Sequence, residues 1–119
     1  MKPVVAVLIA CLAAWAGACA AMIHADRPEQ VIRVTAKRFE YSPSEITLKR
    51  GVPAVLELTS LDRTHGFKLD AFGIRADVKP GEVTRVRVRP QQTGRFPFEC
   101  DVFCGSGHEE MSGEIVVVD

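Results

Sequence analysis

The chain has no excess of either charge: fifteen lysine and arginine residues balance fifteen aspartate and glutamate residues. Nucleic-acid binding, which selects for a strong positive excess against the phosphate backbone, is set aside on that ground. Aromatic residues make up only 7% of the chain, and none lies in a basic stacking pattern. No window carries a convincing 3.6-residue apolar period, no segment repeats and none is of low complexity. Helical and repeat architectures therefore have no support in the pattern. Cysteine is scarce as well. Of four, Cys11 and Cys19 fall in an N-terminal apolar run, so a disulfide framework could draw only on Cys100 and Cys104.

What is present suits one small domain. The length of 119 residues leaves room for a single core, and 47% hydrophobic against 25% charged residues is ordinary globular composition rather than that of a disordered chain. The N-terminus has Lys2 ahead of the apolar residues 4–21, with Ala18 and Ala20 in an A-x-A arrangement, as in an export signal. A membrane anchor and a lipoprotein signal, the latter around Ala16-Gly17-Ala18-Cys19, are the alternatives. All three keep Lys2 inside and deliver the rest of the chain to the outer side, which in a Gram-negative cell is the periplasm or the outer face of the cytoplasmic membrane. The expected division is an export signal over 1–20, a linker over 21–30, with His24 solvated, and a folded domain over 31–119.

From Val31 onward apolar residues recur at every second position: Ile32, Val34 and Ala36; Ile46 and Leu48; Ala54, Leu56 and Leu58; Val86 and Val88; Phe96 and Phe98; Ile115 and Val117. That is strand alternation. Turn residues interrupt it at Ser42-Pro43-Ser44, Gly51-Val52-Pro53, Lys79-Pro80-Gly81 and Gln92-Thr93-Gly94. An all-β domain of seven or eight short strands is expected, as two sheets packed face to face or as a small barrel.

The chemistry is concentrated in residues 100–111, where Cys100, Cys104, His108 and Met111 stand within twelve residues of a chain that holds three histidines and three methionines. Thiolate, imidazole and thioether are soft and borderline donors of the kind copper prefers, whereas calcium and magnesium take oxygen. Gly105, Ser106 and Gly107 allow the tight turn that brings Cys104 and His108 together. His65, just past the strand at 54–60, is the candidate ligand from elsewhere. Phe96 and Phe98 alternate with Cys100, which aims the first thiol into a dry interior. Three other readings stay open. The two cysteines can form a disulfide, although so short a loop gives little entropic gain. Zinc can take Cys100, Cys104, His65 and His108 in a closed tetrahedron, a set that leaves Met111 unused. Singly, His65 is a turn histidine and Met111 a core filler.

On those residues the chain resembles the cupredoxins, and within them the CuA domains of cytochrome c oxidase subunit II and of nitrous oxide reductase. The spacing Cys-x-x-x-Cys-x-x-x-His-x-x-Met is that family's two-copper motif. Asp62-Arg63-Thr64-His65 looks like its Asp-x-x-His segment, and Phe72-Gly73-Ile74-Arg75 through Pro80-Gly81 resembles the family's next hairpin. The resemblance covers roughly 31–119 and implies a Greek-key β-sandwich or barrel. It makes Cys100 and Cys104 bridging thiolates between two copper ions, with His65 and Met111 on one ion, and His108 and the Val102 carbonyl on the other. In oxidase subunit II a glutamate usually stands where Val102 is and helps bind magnesium. Subunit II also carries two membrane helices and a docking tryptophan, whereas this chain has at most one apolar segment and its one tryptophan, Trp15, lies in the export signal.

The expected function is a standalone electron carrier and not an enzyme, since no vacant coordination position or acid–base pair is implied. Glu109 and Glu110 are adjacent loop carboxylates without a partnering base, more in keeping with a solvated face than with hydrolysis. The rival from another class is a copper chaperone or copper-holding protein serving oxidase assembly. The expected partner is a redox protein, such as a c-type cytochrome or a terminal reductase. Any contact with the membrane would be through the N-terminal anchor or lipid. Glu99, Asp101, Glu109 and Glu110 crowd acidic charge around the loop and point to a basic partner, unless Lys68, Arg75 and Lys79 lie near enough to cancel it.

Overall fold

The computed structural model describes residues 29–119. The export signal, His24 and most of the linker lie outside those residues. Among the described residues no helix is long and apolar enough to cross a membrane.

Nine strands form: β1 (Gln30–Lys37), β2 (Glu40–Ser42), β3 (Glu45–Lys49), β4 (Ala54–Ser60), β5 (His65–Leu69), β6 (Ile74–Val78), β7 (Thr84–Val88), β8 (Gly94–Glu99) and β9 (Ser112–Val118). They make two mixed sheets, ordered β2-β1-β4-β7 and β3-β9-β8-β5-β6. The all-β expectation holds, but with one strand more than the upper count. The three residues of β2 are too short to display an alternation. β1 also opens at Gln30, the last residue assigned to the linker.

Alternation places the core between the sheets. From one sheet come Val34, Ala36, Leu56, Leu58, Val86 and Val88, and from the other Ile46, Leu48, Phe67, Leu69, Phe98, Ile115 and Val117, all buried. Each such side chain contributes roughly 1.5–3 kcal/mol of transfer free energy on burial. The intervening positions face water and pair across strands, as where Arg33 and Arg85 flank Glu57 at 3.6 and 3.0 Å. β4 departs from the pattern by burying Val55 as well, since it lies inside its sheet between a parallel β1 and an antiparallel β7.

Near one end of the sandwich, Tyr41 meets Phe67 and Phe98 edge-on at centroid distances of 6.3 and 4.9 Å. Aromatic pairs of this kind add about 0.5–1.5 kcal/mol each beyond their buried area. The last rung of the β8–β9 ladder joins Glu99 to Ser112. One step further, the Cys100 N–H donates to the Met111 carbonyl at 3.1 Å. Cys100 and Met111 are thus the feet of a hairpin loop, and the sheet fixes both.

Candidate metal centre

His65 lies just past β4, where it opens β5 and is fully buried. The turn before it is built from its own side chains. The Ser60 hydroxyl donates to the Arg63 carbonyl, and the Arg63 N–H donates to Asp62 Oδ1 at 2.7 Å. The same oxygen lies 2.6 Å from His65 Nε2, while Asp62 Oδ2 accepts the Arg38 N–H at 2.8 Å. Burial by itself would raise the Asp62 carboxyl, but these donors, the Arg38 amide first, hold it down at about 2. With Nε2 committed to a carboxylate, the His65 lone pair is on Nδ1, and Nδ1 lies 4.0 Å from Cys100 Sγ.

The loop brings up the other five predicted residues. The Cys100 sulfur is 3.2 Å from the Val102 carbonyl oxygen and 4.0 Å from the Cys104 sulfur. The Cys104 sulfur is 3.6 Å from His108 Nδ1 and 3.9 Å from the Met111 thioether. The donor atoms of His65, Cys100 and Cys104 all lie within 4.8 Å of one another. Cys100, Cys104 and Met111 are buried and His108 is half-buried, its ring 5.8 Å from that of the exposed Phe103. Both cysteines are free thiols.

Burial, reinforced by the neighbouring Cys100, pushes the Cys104 thiol up to about 11. Such a thiol is neutral at ordinary pH, and a metal that binds it must displace its proton. The donor set fits a metal on geometry alone. Two thiols, two imidazole nitrogens, a thioether and a carbonyl converge in an apolar frame. Two thiolate–metal bonds of about 2.3 Å can also span the gap between the sulfurs. Oxygen-seeking cations find one carbonyl here and no carboxylate aimed inward.

Several residues outside the predicted set hold the loop. The Arg38 side chain donates through Nε to the Cys104 carbonyl at 3.0 Å, so this one residue ties the histidine turn to the cysteine loop. The Phe39 ring lies against Gly105 and Gly107, where an added Cβ would come within 3.2 and 3.1 Å of it. Both glycines have positive φ, +134° and +118°, which other residues rarely adopt. Gly66 donates its N–H to the Cys100 sulfur at 3.3 Å and accepts the Tyr41 hydroxyl at 2.6 Å. No spacing in the sequence flags these contacts, because they join segments 25 to 68 residues apart. The acidic set is also less free than expected. Arg75 donates to both Asp101 oxygens, at 2.8 and 3.0 Å, and Glu99 stands opposite Lys68 in the sheet.

A family model for the cupredoxin-like domain matches residues 6–117. Cytochrome c oxidase subunit 2 of Thermus thermophilus is 35% identical over 103 residues, which is 87% of this chain and 76% of that subunit. Nitrous-oxide reductase of Ralstonia nicotianae is 34% identical over 90 residues, 72% of this chain but only 14% of the reductase. Among solved structures, the periplasmic domain of subunit II of cytochrome oxidase of Bradyrhizobium japonicum superposes with a TM-score of 0.71 at 22% identity, covering 76% of this chain and 84% of that one.

Proposed function

This chain belongs to the cupredoxin-like domain family, with CuA-type domains as its homologues, and from that premise we propose that it is an electron carrier on the outer side of the cytoplasmic membrane, built around a two-copper centre. Its ligands are His65, Cys100, the Val102 carbonyl, Cys104, His108 and Met111. The observation that carries this reading is the pair of buried sulfurs 4.0 Å apart with terminal donors beside each. His65 and the Val102 carbonyl flank Cys100, and His108 and Met111 flank Cys104. Were both sulfurs shared, each ion would be held by one terminal donor from beside each thiolate, His65 with Met111 and His108 with the Val102 carbonyl, the division that the family resemblance implies.

Bound copper supplies a one-electron couple that the protein's own groups cannot. The chain's part is to hold the donors so that little has to move when an electron arrives. The Asp62 carboxylate keeps Nδ1 of His65 toward the sulfurs, the β8–β9 ladder fixes Cys100 and Met111, and buried apolar side chains exclude water. His108, half-buried beside exposed Phe103, is a donor within reach of solvent and would give an electron a way out. A redox protein such as a c-type cytochrome or a terminal reductase is the proposed partner. An export signal over 1–20 and a linker reaching the domain near residue 30 complete the proposal.

Metal analysis combined with electron paramagnetic resonance tests it. Two coppers per chain with one unpaired spin shared between them are expected, and Cys100→Ser or Cys104→Ser should abolish the shared signal. Met111→Leu should keep both ions and shift the potential, since a thioether is a weak axial donor. Val102→Ala should change little, because only its carbonyl is used. One copper with a localised spin would overturn the two-copper reading. Rapid loss of copper to a chelator would favour the copper-holding alternative.

A further inference from the structure

Asp101 lies between Cys100 and the Val102 carbonyl, but its own side chain turns away from the donors. Its carboxylate accepts two N–H bonds from Arg75, from Nε at 2.8 Å and Nη2 at 3.0 Å, the two-pronged geometry that only a guanidinium offers. Arg75 stands on β6, an edge strand, and is pinned from its other side by Asp77. Against the same Asp101 carboxylate lies Gly66 of β5, which pairs with Asp77 in the sheet. A Cβ at that position would collide with the Asp101 carboxylate and stand 3.0 Å from the Asp101 amide nitrogen. The absent side chain lets the loop backbone rest directly on the strand, where the Gly66 N–H meets the Cys100 sulfur at 3.3 Å.

Resting on the copper-site reading, we propose that Arg75 is a positioning residue for the metal centre. Through Asp101 it presses the start of the ligand loop onto Gly66, and so sets the placement of the Cys100 sulfur and the Val102 carbonyl without touching either. Neither residue needs to be a ligand. What they supply is a fixed backbone between two successive ligands of the loop, a sulfur that would be shared by both ions and a carbonyl that would serve one of them.

The test has a metal-free arm and a copper arm, both on the full chain. In the metal-free protein, hydrogen exchange at the Gly66 and Cys100 amides should quicken about fivefold in Arg75→Ala, the size expected of one well-formed ion pair near the surface. Amides in the β1–β4 ladder should be unaffected. Asp101→Ala should do the same, and the double variant should exchange no faster than either single one, since one clamp has been removed twice. Arg75→Lys should fail to restore protection, because an ammonium cannot reproduce the fork. In the copper-loaded protein, both single variants should shift the thiolate–copper absorption in the same direction.

Additive exchange effects, full rescue by lysine, or a uniform rise across every strand would overturn the clamp. Opposite spectral shifts in Arg75→Ala and Asp101→Ala would also overturn it, since they would mean that the two charges act on the site directly. The metal-free arm stands apart from copper stoichiometry, so a failure of the two-copper reading and a failure of the clamp give different results.

Discussion

The turn over residues 60–65 and the loop over 100–111 supply the same donor cluster, yet the first is stapled mainly by its own side chains and the second is gripped by residues from elsewhere. Ser60 and Asp62 bond within their turn, and Asp62 takes its partner histidine three residues on. The loop closes on itself through backbone turns such as His108 N–H to Gly105 carbonyl at 3.2 Å and through contacts among its donor atoms. Arg38, Phe39, Gly66 and Arg75 provide the rest of its support. A short segment can encode its own shape, but a long one that must keep glycines for tight turns needs outside support.

The largest effect should come from removing that support. Phe39→Ala takes away the ring that packs against Gly105 and Gly107, and should cost roughly 1–2 kcal/mol for a half-buried aromatic, less than the 3–5 of a fully buried one. Denaturant unfolding of the metal-free protein measures the loss. Hydrogen exchange should locate it in the loop and leave the histidine turn protected. Equal loosening of both segments would break the contrast.

A smaller effect tests the self-stapled turn. The Asp62 carboxyl is lowered from 3.8 to about 2 in the fold, so the unfolded chain binds its proton more readily as acid is added. The stability it gives is present above about pH 4 and is lost as pH falls toward 2. With its side chain one-third exposed, screening reduces the contribution to about 1 kcal/mol. The stability difference between the unaltered protein and Asp62→Asn should therefore be flat from neutral pH to about 4 and shrink below it. A difference that grows in acid would reverse the assignment.

The smallest effect concerns charge at the loop's outer rim. Glu109 and Glu110 lie in the short 3-10 turn His108–Glu110 and are exposed. Electron transfer with a basic cytochrome should slow as salt rises, because exposed charges are screened beyond roughly 8 Å at physiological ionic strength. Replacing both by glutamine should flatten that dependence without altering the copper spectrum. Rates that ignore salt in the unaltered protein would leave the rim without a role in docking. Arg75 already engages Asp101, which leaves Glu99, Glu109 and Glu110 as the acidic charge around the loop.

Five of the six proposed ligands are legible from residue chemistry, four in one loop and His65 from its place after a strand, whereas the Val102 carbonyl is implied only by the family resemblance. The turn residues also placed most strand boundaries. β5 was less visible because Gly66 breaks the alternation of His65, Phe67 and Leu69, although those three are all buried. A buried histidine counted as a core position would have revealed the strand. Arg38, Phe39 and Arg75 were not legible as supports. Their roles depend on the tertiary approach of distant segments, and an arginine in an alternating strand looks like any solvated residue until the fold brings a carboxylate beside it.

The position of β9 bears on the order of events during folding. It starts one residue after Met111 and inserts between β3 and β8, parallel to the first and antiparallel to the second. Its partner β3 lies some seventy residues earlier in the chain, and such long-range pairings form slowly. The rung that joins Cys100 to Met111 extends the local β8–β9 hairpin, whereas His65 meets the Cys100 sulfur only where β5 is paired with β8. Copper offered to a partly folded chain meets scattered donors, whereas copper offered after these strands have docked meets the assembled cluster. On the proposed ligand set, tight copper capture would require β5, β8 and β9 to be in place together.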